Sequence, residues 1–157
     1  MKPATVIFSL ILVLMLAFCA LFYAGGTLKI DAQSISAEAA SYPEACKSIA
    51  EVITSGAAPM IFSAEQIGSA ADYTLFDINF TLTNRGIFDA EWLNINVEPA
   101  AGDVAVYSLS GNTQDVPARS ARQANLKLLT RAGKDSKRLI TVQYYVYGIS
   151  RTVKFYA

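Results

Sequence analysis

The chain has 157 residues, no histidine and two cysteines, and its 13 basic and 13 acidic residues cancel. The lack of histidine removes the commonest metal ligand and general base. Two cysteines, of which Cys19 lies in an apolar segment, exclude a disulfide framework and a cysteine-based metal cluster. We therefore expect a protein that is not an enzyme, carries no cofactor and does not bind nucleic acid.

The first element is an uncharged apolar run over residues 4–24. As a helix it is about 32 Å long, enough to cross a hydrocarbon core of about 30 Å. We predict a membrane anchor over residues 1–26, with the bilayer as its partner and Gly25 and Gly26 as a hinge after the helix. The lipid-facing positions chosen to represent the anchor are Val6, Leu10, Leu14, Phe18 and Phe22.

The main alternative is a cleaved signal peptide. Its apolar core is usually 7–15 residues long and is followed by a small-x-small cleavage site. Here the run is longer, and cleavage after Ala24 or Ala20 would place Phe22 or Phe18 where a small residue is needed. We expect an uncleaved single span. Lys2 precedes it, and this favours a cytoplasmic N-terminus and an extracytoplasmic body.

Residues 27–59 are predicted to connect the anchor to the body. The Ala- and Ser-rich stretch 27–40 has no strong pattern and is interpreted as a stalk. A short amphipathic helix over 42–55 follows, with Ser41 and Glu44 as a capping box, Pro43 in the first turn and Gly56 at the C-terminal cap. Its apolar face carries Cys46, which is either a buried free thiol or an intermolecular bridge.

From residue 60 to residue 157 the apolar period changes to two, which is typical of strands. Clear alternation covers 76–82, 93–97 and 140–146, and shorter candidates are 60–67, 104–109, 124–129 and 151–156. About seven strands with one polar face each predict a mainly β fold, a seven-stranded antiparallel immunoglobulin-like sandwich. Trp92 stands near the position at which such sandwiches bury a core tryptophan.

The segment FTLTNRG at 80–86, followed by AEWLNINV at 90–97, resembles the core of immunoglobulin-like modules of the CARDB (cell-adhesion-related) and late-embryogenesis-abundant types. The segment VPARSARQANLKL at 116–128 is similar to a further element of theirs, although Ala118 and Arg119 replace the usual glycine. A single span with such a sandwich also resembles, in architecture, the accessory stator subunits of the archaeal swimming filament. The resemblance implies the fold and a binding or structural role.

Charge is distributed unevenly along the chain. Residues 29–115 hold three basic and twelve acidic side chains, and residues 116–157 hold nine basic and one acidic. Either the late basic strands pair with the early acidic ones, or the excess forms a basic surface for an acidic partner. An immunoglobulin-like strand order places two loops, 98–103 and 131–138, at the end away from the membrane. We predict a protein-binding surface there, with the C-terminal strand and the residues Arg131, Lys134, Lys137 and Arg138.

Two further assignments concern individual side chains. Asn79-Phe80-Thr81 is a glycosylation sequon on an outward strand face. Tyr144, Tyr145 and Tyr147 are interpreted as core and cross-strand residues, with sugar stacking as the alternative.

The sequence thus predicts a non-catalytic single-pass membrane protein, a small subunit of a membrane or cell-surface assembly that binds protein partners. The alternative is a surface adhesion module, in which Tyr145, Tyr147 and the basic loops contact a glycan or an envelope layer, including stator-like anchoring of an archaeal filament. An enzyme would have only a carboxylate pair such as Asp77 with Glu91 or Asp89.

Overall fold

A computed structural model of the chain describes residues 3–24, 28–38, 43–63 and 65–157. In these ranges it has two α-helices, one short 3₁₀ helix (Ala70–Asp72) and eight strands. The helices are α1 (Pro3–Ala24) and α2 (Pro43–Thr54). The strands are β1 (Leu28–Glu38), β2 (Met60–Ile61), β3 (Tyr73–Asn84), β4 (Glu91–Val97), β5 (Asp103–Ser110), β6 (Ala121–Arg131), β7 (Leu139–Val146) and β8 (Ile149–Tyr156).

The strands form two antiparallel sheets. One has the order β1-β3-β6-β5-β2 and the other the order β4-β7-β8. Without the two-residue strand β2, this is the four-plus-three arrangement of an immunoglobulin constant-type sandwich. The predicted fold class is therefore confirmed.

The core lies between the two sheets, and the period-two pattern explains which side chains enter it. In β3, β4 and β7, the apolar residues at alternate positions are buried, as the sequence predicts. The residues between them face outward. Fully buried side chains from both sheets meet in one cluster that includes Ile78, Leu93, Ile95, Leu126 and Val142. Burial of an aliphatic side chain of this size contributes about 1.5–3 kcal/mol.

The helix α2 covers the outer face of the five-stranded sheet at one end. Ile49 and Ile53 are buried against Leu75, Val104 and Leu129 in a second apolar cluster. The helix ends as the sequence predicts. The Gly56 amide donates to the Ile53 carbonyl and the Ala57 amide to the Val52 carbonyl, each with a donor–acceptor distance of 3.0 Å. Ser41 and Tyr42, the predicted start of this helix, lie outside the described residues, as do Gly25 and Gly26.

The stretch predicted as a stalk is instead largely a strand. All of β1 pairs with β3, from Leu28 opposite Asn84 to Glu38 opposite Thr74. The sequence analysis missed this strand because only its first residues supply large apolar side chains at alternate positions. The predicted strand over 60–67 is, in contrast, much shorter, since pairing with β5 is limited to Met60 and Ile61.

The position predicted for a core tryptophan is also corrected. Trp92 is 72% exposed, and Leu93 is buried beside it. A bulge in the β4–β7 pairing sets two residues, Trp92 and Leu93, opposite one residue of β7. Trp92 adopts a φ of 51° there, and this turns its ring outward while Leu93 points into the core.

One glycine is required both by its backbone conformation and by close packing. Gly111 has a φ of +80°, and a Cβ atom added to it would lie 2.9 Å from the Ala124 Cβ and 3.2 Å from the Gln123 carbonyl oxygen. Gly133 has a similar φ of +76° with nothing within 4 Å. We expect Gly133→Ala to lower the free energy of unfolding by about 1 kcal/mol and Gly111→Ala by about 1–3 kcal/mol more. Urea denaturation of the two variants checks this, and equal losses would contradict it.

Candidate interaction surfaces at the two ends of the sandwich

The two ends of the sandwich differ in chemistry. One end, here called the α1 end, carries the β3–β4 loop and the β7–β8 turn, and α1 packs against it. The opposite end, here called the far end, carries the β4–β5 and β6–β7 loops. Because β7 is eight residues long, the two ends lie about 25 Å apart.

At the far end the structure brings together the acidic and basic loops that the sequence predicted to meet. Asp103, at the start of β5, forms a two-point ion pair with Arg138, just before β7. The Arg138 Nη2 lies 2.6 Å from the Asp103 Oδ1, and the Arg138 Nε lies 2.8 Å from the Asp103 Oδ2. Arg138 also donates to the Asp135 and Lys137 carbonyls, and the Ala100 amide donates to Asp103.

This geometry changes the assignment of Arg138. Its side chain is 2% exposed and that of Asp103 is fully buried, so neither reaches a partner from this surface. Arg138 instead joins the two loops of the far end to one another. The predicted set of four basic contact residues is thereby reduced to three.

The remaining three bases are exposed and each is held by an intramolecular contact. Arg131 forms an ion pair with Glu65, and the hydrogen bond to this carboxylate raises the pKa of Arg131. The Lys134 side chain runs over the backbone of Gly102. The Lys137 Nζ lies 5.1 Å from the centre of the Tyr156 ring. All three cations therefore lie on the surface of the far end, and Arg138 connects the two loops of this end through its hydrogen bonds.

The ion pairs favour one of the two interpretations of the uneven charge. Lys127, Arg131 and Arg138 come from the basic last third of the chain, and their partners Asp77, Glu65 and Asp103 come from the acidic part before it. The strands of the two parts interleave in the sheets, so these three late bases neutralise early acids, whereas Lys134 and Lys137 form no ion pair with the described residues.

At the α1 end, aromatic side chains connect the helix to the sandwich. The Phe22 ring stacks on Tyr147 with 5.6 Å between ring centres and lies 6.0 Å from Phe88. Phe88 and Tyr147 in turn contact edge to face at 4.6 Å. The Arg151 guanidinium lies 4.9 Å above the Tyr23 ring. The last turn of α1 is therefore docked on the β3–β4 loop and on the beginning of β8.

Several large side chains of the α1 end remain exposed: Ile87, Trp92, Tyr147 and Ile149. Trp92 packs edge to face on Tyr145, 6.0 Å away. The predicted strand order turns this end toward the membrane, but no periodic pattern indicates its exposed apolar residues. They come from three separate segments, and Trp92 and Tyr147 were predicted as core and cross-strand residues. The turn Tyr147-Gly148 between two strands was the one local signal for an exposed aromatic tip.

The rest of α1 makes a different surface. Among the chosen anchor positions, Val6, Leu10, Leu14 and Phe18 are exposed, and Phe22 is partly covered by the sandwich. The helix is long and apolar enough over Pro3–Tyr23 to cross a membrane, and a signal sequence near an N-terminus can satisfy the same criteria of length and composition. Cys46 on α2 is buried and is a free thiol, which agrees with the first of the two interpretations of this residue.

The other candidate residues are distributed over the sheets. Asn79 is exposed on β3, and its Oδ1 accepts a 2.8 Å hydrogen bond from the Asn125 side chain. Its glycosylation stays a prediction. Asp77 is on the outer face of the five-stranded sheet beside Lys127, whereas Glu91 belongs to the other sheet and Asp89 accepts a hydrogen bond from the Ala118 amide. The core therefore separates Asp77 from Glu91, and Asp89 belongs to the β3–β4 loop at the α1 end.

The structure also separates the residues of the glycan-binding alternative. Tyr145 and Tyr147 lie at the α1 end, whereas Arg131, Lys134 and Lys137 lie at the far end. One ligand-binding surface made of all five residues is not formed. In the described part of the chain, no three metal-ligating side chains are grouped where they could hold an ion.

Comparison with known proteins places the chain in no family. No protein-family model matches it, and neither does any curated protein. A structural-genomics target, SoR45, is similar in structure with a TM-score of 0.42 and 14% identity, over 82% of this chain and 84% of that one. The yeast GGA1 GAE domain–P21 structure gives a TM-score of 0.40 and 10% identity, over 62% of this chain and 95% of that one. Scores this low support neither the CARDB nor the late-embryogenesis-abundant resemblance.

Proposed function

We propose that this chain is a non-catalytic single-pass membrane protein whose extracytoplasmic immunoglobulin-like domain binds a protein partner through its far end. In this role it is a small subunit of a membrane or cell-surface assembly. The observation that carries the proposal is the position of α1, which packs on one end of the sandwich and leaves the opposite end open.

The anchor part of the proposal is supported by the composition and exposure of α1. This helix has no charged residue over Pro3–Tyr23, and the sandwich partly covers Phe22 while the other side chains of this segment are exposed. An apolar helix that a domain does not cover needs an apolar solvent, and the bilayer is the natural one. Lys2 before the span favours a cytoplasmic N-terminus, so the sandwich is on the outer side.

The binding part is supported by the loops of the far end. Arg138 and Asp103 fix both loops, so Arg131, Lys134 and Lys137 stand on backbone that needs little ordering when a partner binds. Exposed cations at the rim of an interface steer an acidic partner and set the association rate more than the final affinity. An acidic protein surface is therefore the expected partner.

The anchor and its orientation are tested in membranes that contain the full chain. The protein should resist alkaline extraction, keep its N-terminal segment by mass spectrometry, and be digested by protease from the outer side alone. A mature chain that begins near Gly25, or digestion from the cytoplasmic side, would overturn the proposal. Purification in mild detergent, with mass spectrometry of co-purifying chains, should then reveal a stoichiometric partner.

The contact surface is tested by a triple variant, Arg131→Gln, Lys134→Gln and Lys137→Gln. We expect about tenfold weaker binding of the co-purifying partner, mainly through slower association, because rim charges act at long range. The unfolding midpoint should move little, since exposed ion pairs contribute about 0–1 kcal/mol. Surface plasmon resonance at low and high salt measures the affinity and the association rate, and urea denaturation measures the unfolding midpoint.

The matched control removes the same number of charges at the α1 end, through Arg85→Gln, Arg119→Gln and Arg122→Gln. All three residues are exposed and lie outside the far-end loops. Equal losses of binding in the two triple variants would show that net charge alone matters. Unchanged binding in the first variant would remove the far end as the contact surface.

A further inference from the structure

We infer that the α1 end of the sandwich is a lipid-contacting platform, seated in the headgroup layer of the same bilayer that α1 crosses. The platform consists of Ile87, Phe88, Tyr147 and Ile149, with Trp92 at its rim. This inference rests on the proposed anchor function and adds to it a fixed position of the domain on the membrane surface.

The sandwich meets the helix at the depth of the membrane interface. Ile149 and Arg151 line a groove together with Phe18 and Cys19, a full turn before α1 ends. Four residues of helix, from Phe18 to Phe22, correspond to about 6 Å. A span of residues 3–23 is only about as long as the hydrocarbon core is thick, so this level lies at the boundary between acyl chains and headgroups. The parts of the sandwich that contact α1 at this level must therefore enter the headgroup layer.

The exposed side chains of the platform are of the types that favour a membrane interface. Trp92 is 72% exposed, Tyr147 is 65% exposed, and Ile87 and Ile149 are each nearly half exposed. Tryptophan and tyrosine are enriched at membrane interfaces, because their rings are apolar while an N–H or O–H group can remain hydrated. Tyr147 stacks on Phe22, and Ile149 lines a groove with the end of α1, so these two side chains extend the apolar surface of the span.

The charges near the platform favour a neutral lipid surface over an anionic one. Two nearby acids have intramolecular roles, since Asp89 accepts from the Ala118 amide and Asp115 from the Trp92 amide. Together with Asp31 and Glu91 they make four acids at this end, and these nearly balance its five bases, which are Lys29, Arg85, Arg119, Arg122 and Arg151. Seating is thus expected in zwitterionic bilayers, driven by the aromatic and aliphatic groups.

The platform is preformed and needs no rearrangement. The Asn84 side chain holds the loop before β4 by donating to the Phe88 carbonyl over 2.8 Å and to the Val116 carbonyl over 2.9 Å. Tyr147 stands at the tip of a two-residue turn with Gly148, both at positive φ as a tight hairpin turn requires. Phe88 and Tyr147 then contact one another and Phe22.

The single tryptophan of the chain makes the inference directly testable. The full-length protein is reconstituted in phosphatidylcholine vesicles whose acyl chains carry bromine, a contact quencher of tryptophan fluorescence. Trp92 reports the rim without any substitution. Trp92→Phe combined with Tyr147→Trp reports the centre of the platform. Trp92→Phe combined with Tyr156→Trp is the matched control, because Tyr156 is equally exposed but lies at the far end.

We expect bromolipid quenching to be strongest for the Tyr147→Trp reporter, intermediate for Trp92 and weakest for the Tyr156→Trp reporter, with at least about a twofold difference between the extremes. Iodide in the buffer should give the opposite order. Equal quenching at the three positions, in protein that still resists alkaline extraction, would overturn the platform and leave the anchor intact. Release of the chain by alkaline extraction would overturn both.

Discussion

Replacing Arg138 with alanine is expected to lower the free energy of unfolding by about 3–5 kcal/mol. The substitution leaves the Asp103 carboxylate buried without its two-point partner, and it frees the carbonyls of Asp135 and Lys137. The loss is mainly the cost of an uncompensated buried charge and not of the surface area removed. Urea denaturation of the full chain in detergent micelles, followed by circular dichroism, measures it.

Two controls separate this cause from general damage to the loop. Lys137→Ala, next to Arg138 but exposed, should change the free energy of unfolding by less than about 1 kcal/mol. Replacing both members of the pair, with Asp103→Leu and Arg138→Met, should recover most of the stability, because no buried charge is left. A double variant as unstable as Arg138→Ala would show that the pair is not the source of the effect.

The second large effect is expected at Asn84. Asn84→Asp should lower the free energy of unfolding by about 2–4 kcal/mol at neutral pH. The Asn84 amide group donates to two buried carbonyls, while its oxygen accepts from the Gly86 amide over 2.9 Å. An aspartate carboxylate can still accept from the Gly86 amide. In place of the NH₂ group, however, it turns an oxygen toward the Phe88 and Val116 carbonyls, so that acceptors face acceptors. Denaturation in urea gives the size of the loss.

The matched control is Asn94→Asp, the same chemical change on the exposed face of β4. It should alter the free energy of unfolding by no more than about 0.5 kcal/mol. Asn84→Asp should also weaken bromolipid quenching of Trp92, since the loop that carries Phe88 is no longer pinned. Similar stability losses for the two aspartate variants would contradict the proposed role of the Asn84 hydrogen bonds.

Much of the fold could be predicted because its signals are local. The apolar run of α1, the Gly56 cap of α2 and the alternation in β3, β4 and β7 are all contained in short windows of sequence. The Asn-Arg-Gly segment at 84–86 was noted as part of a family motif, and the hydrogen bonds of Asn84 give its physical reason in this chain. In contrast, β1 depends on eleven paired positions on β3 and has little apolar pattern of its own.

The candidate surfaces were predicted less well, because both depend on contacts between distant residues. The sequence identified the basic far-end loop, but burial of Arg138 requires Asp103, 35 positions earlier. The predicted strand order placed the loops of the α1 end toward the membrane, but their aromatic cluster was not predicted, because Phe22, Phe88 and Tyr147 come together only when the sheets have packed.

By itself, the sequence determined that this protein is an apolar helix followed by a two-sheet β domain, since hydrophobic period and turn residues act over a few positions. Only the tertiary structure decided which polar and aromatic side chains face solvent. A bulge turned Trp92 outward, and a buried carboxylate drew Arg138 inward. Burial depends on what lies opposite a residue in space, and no local pattern contains that information.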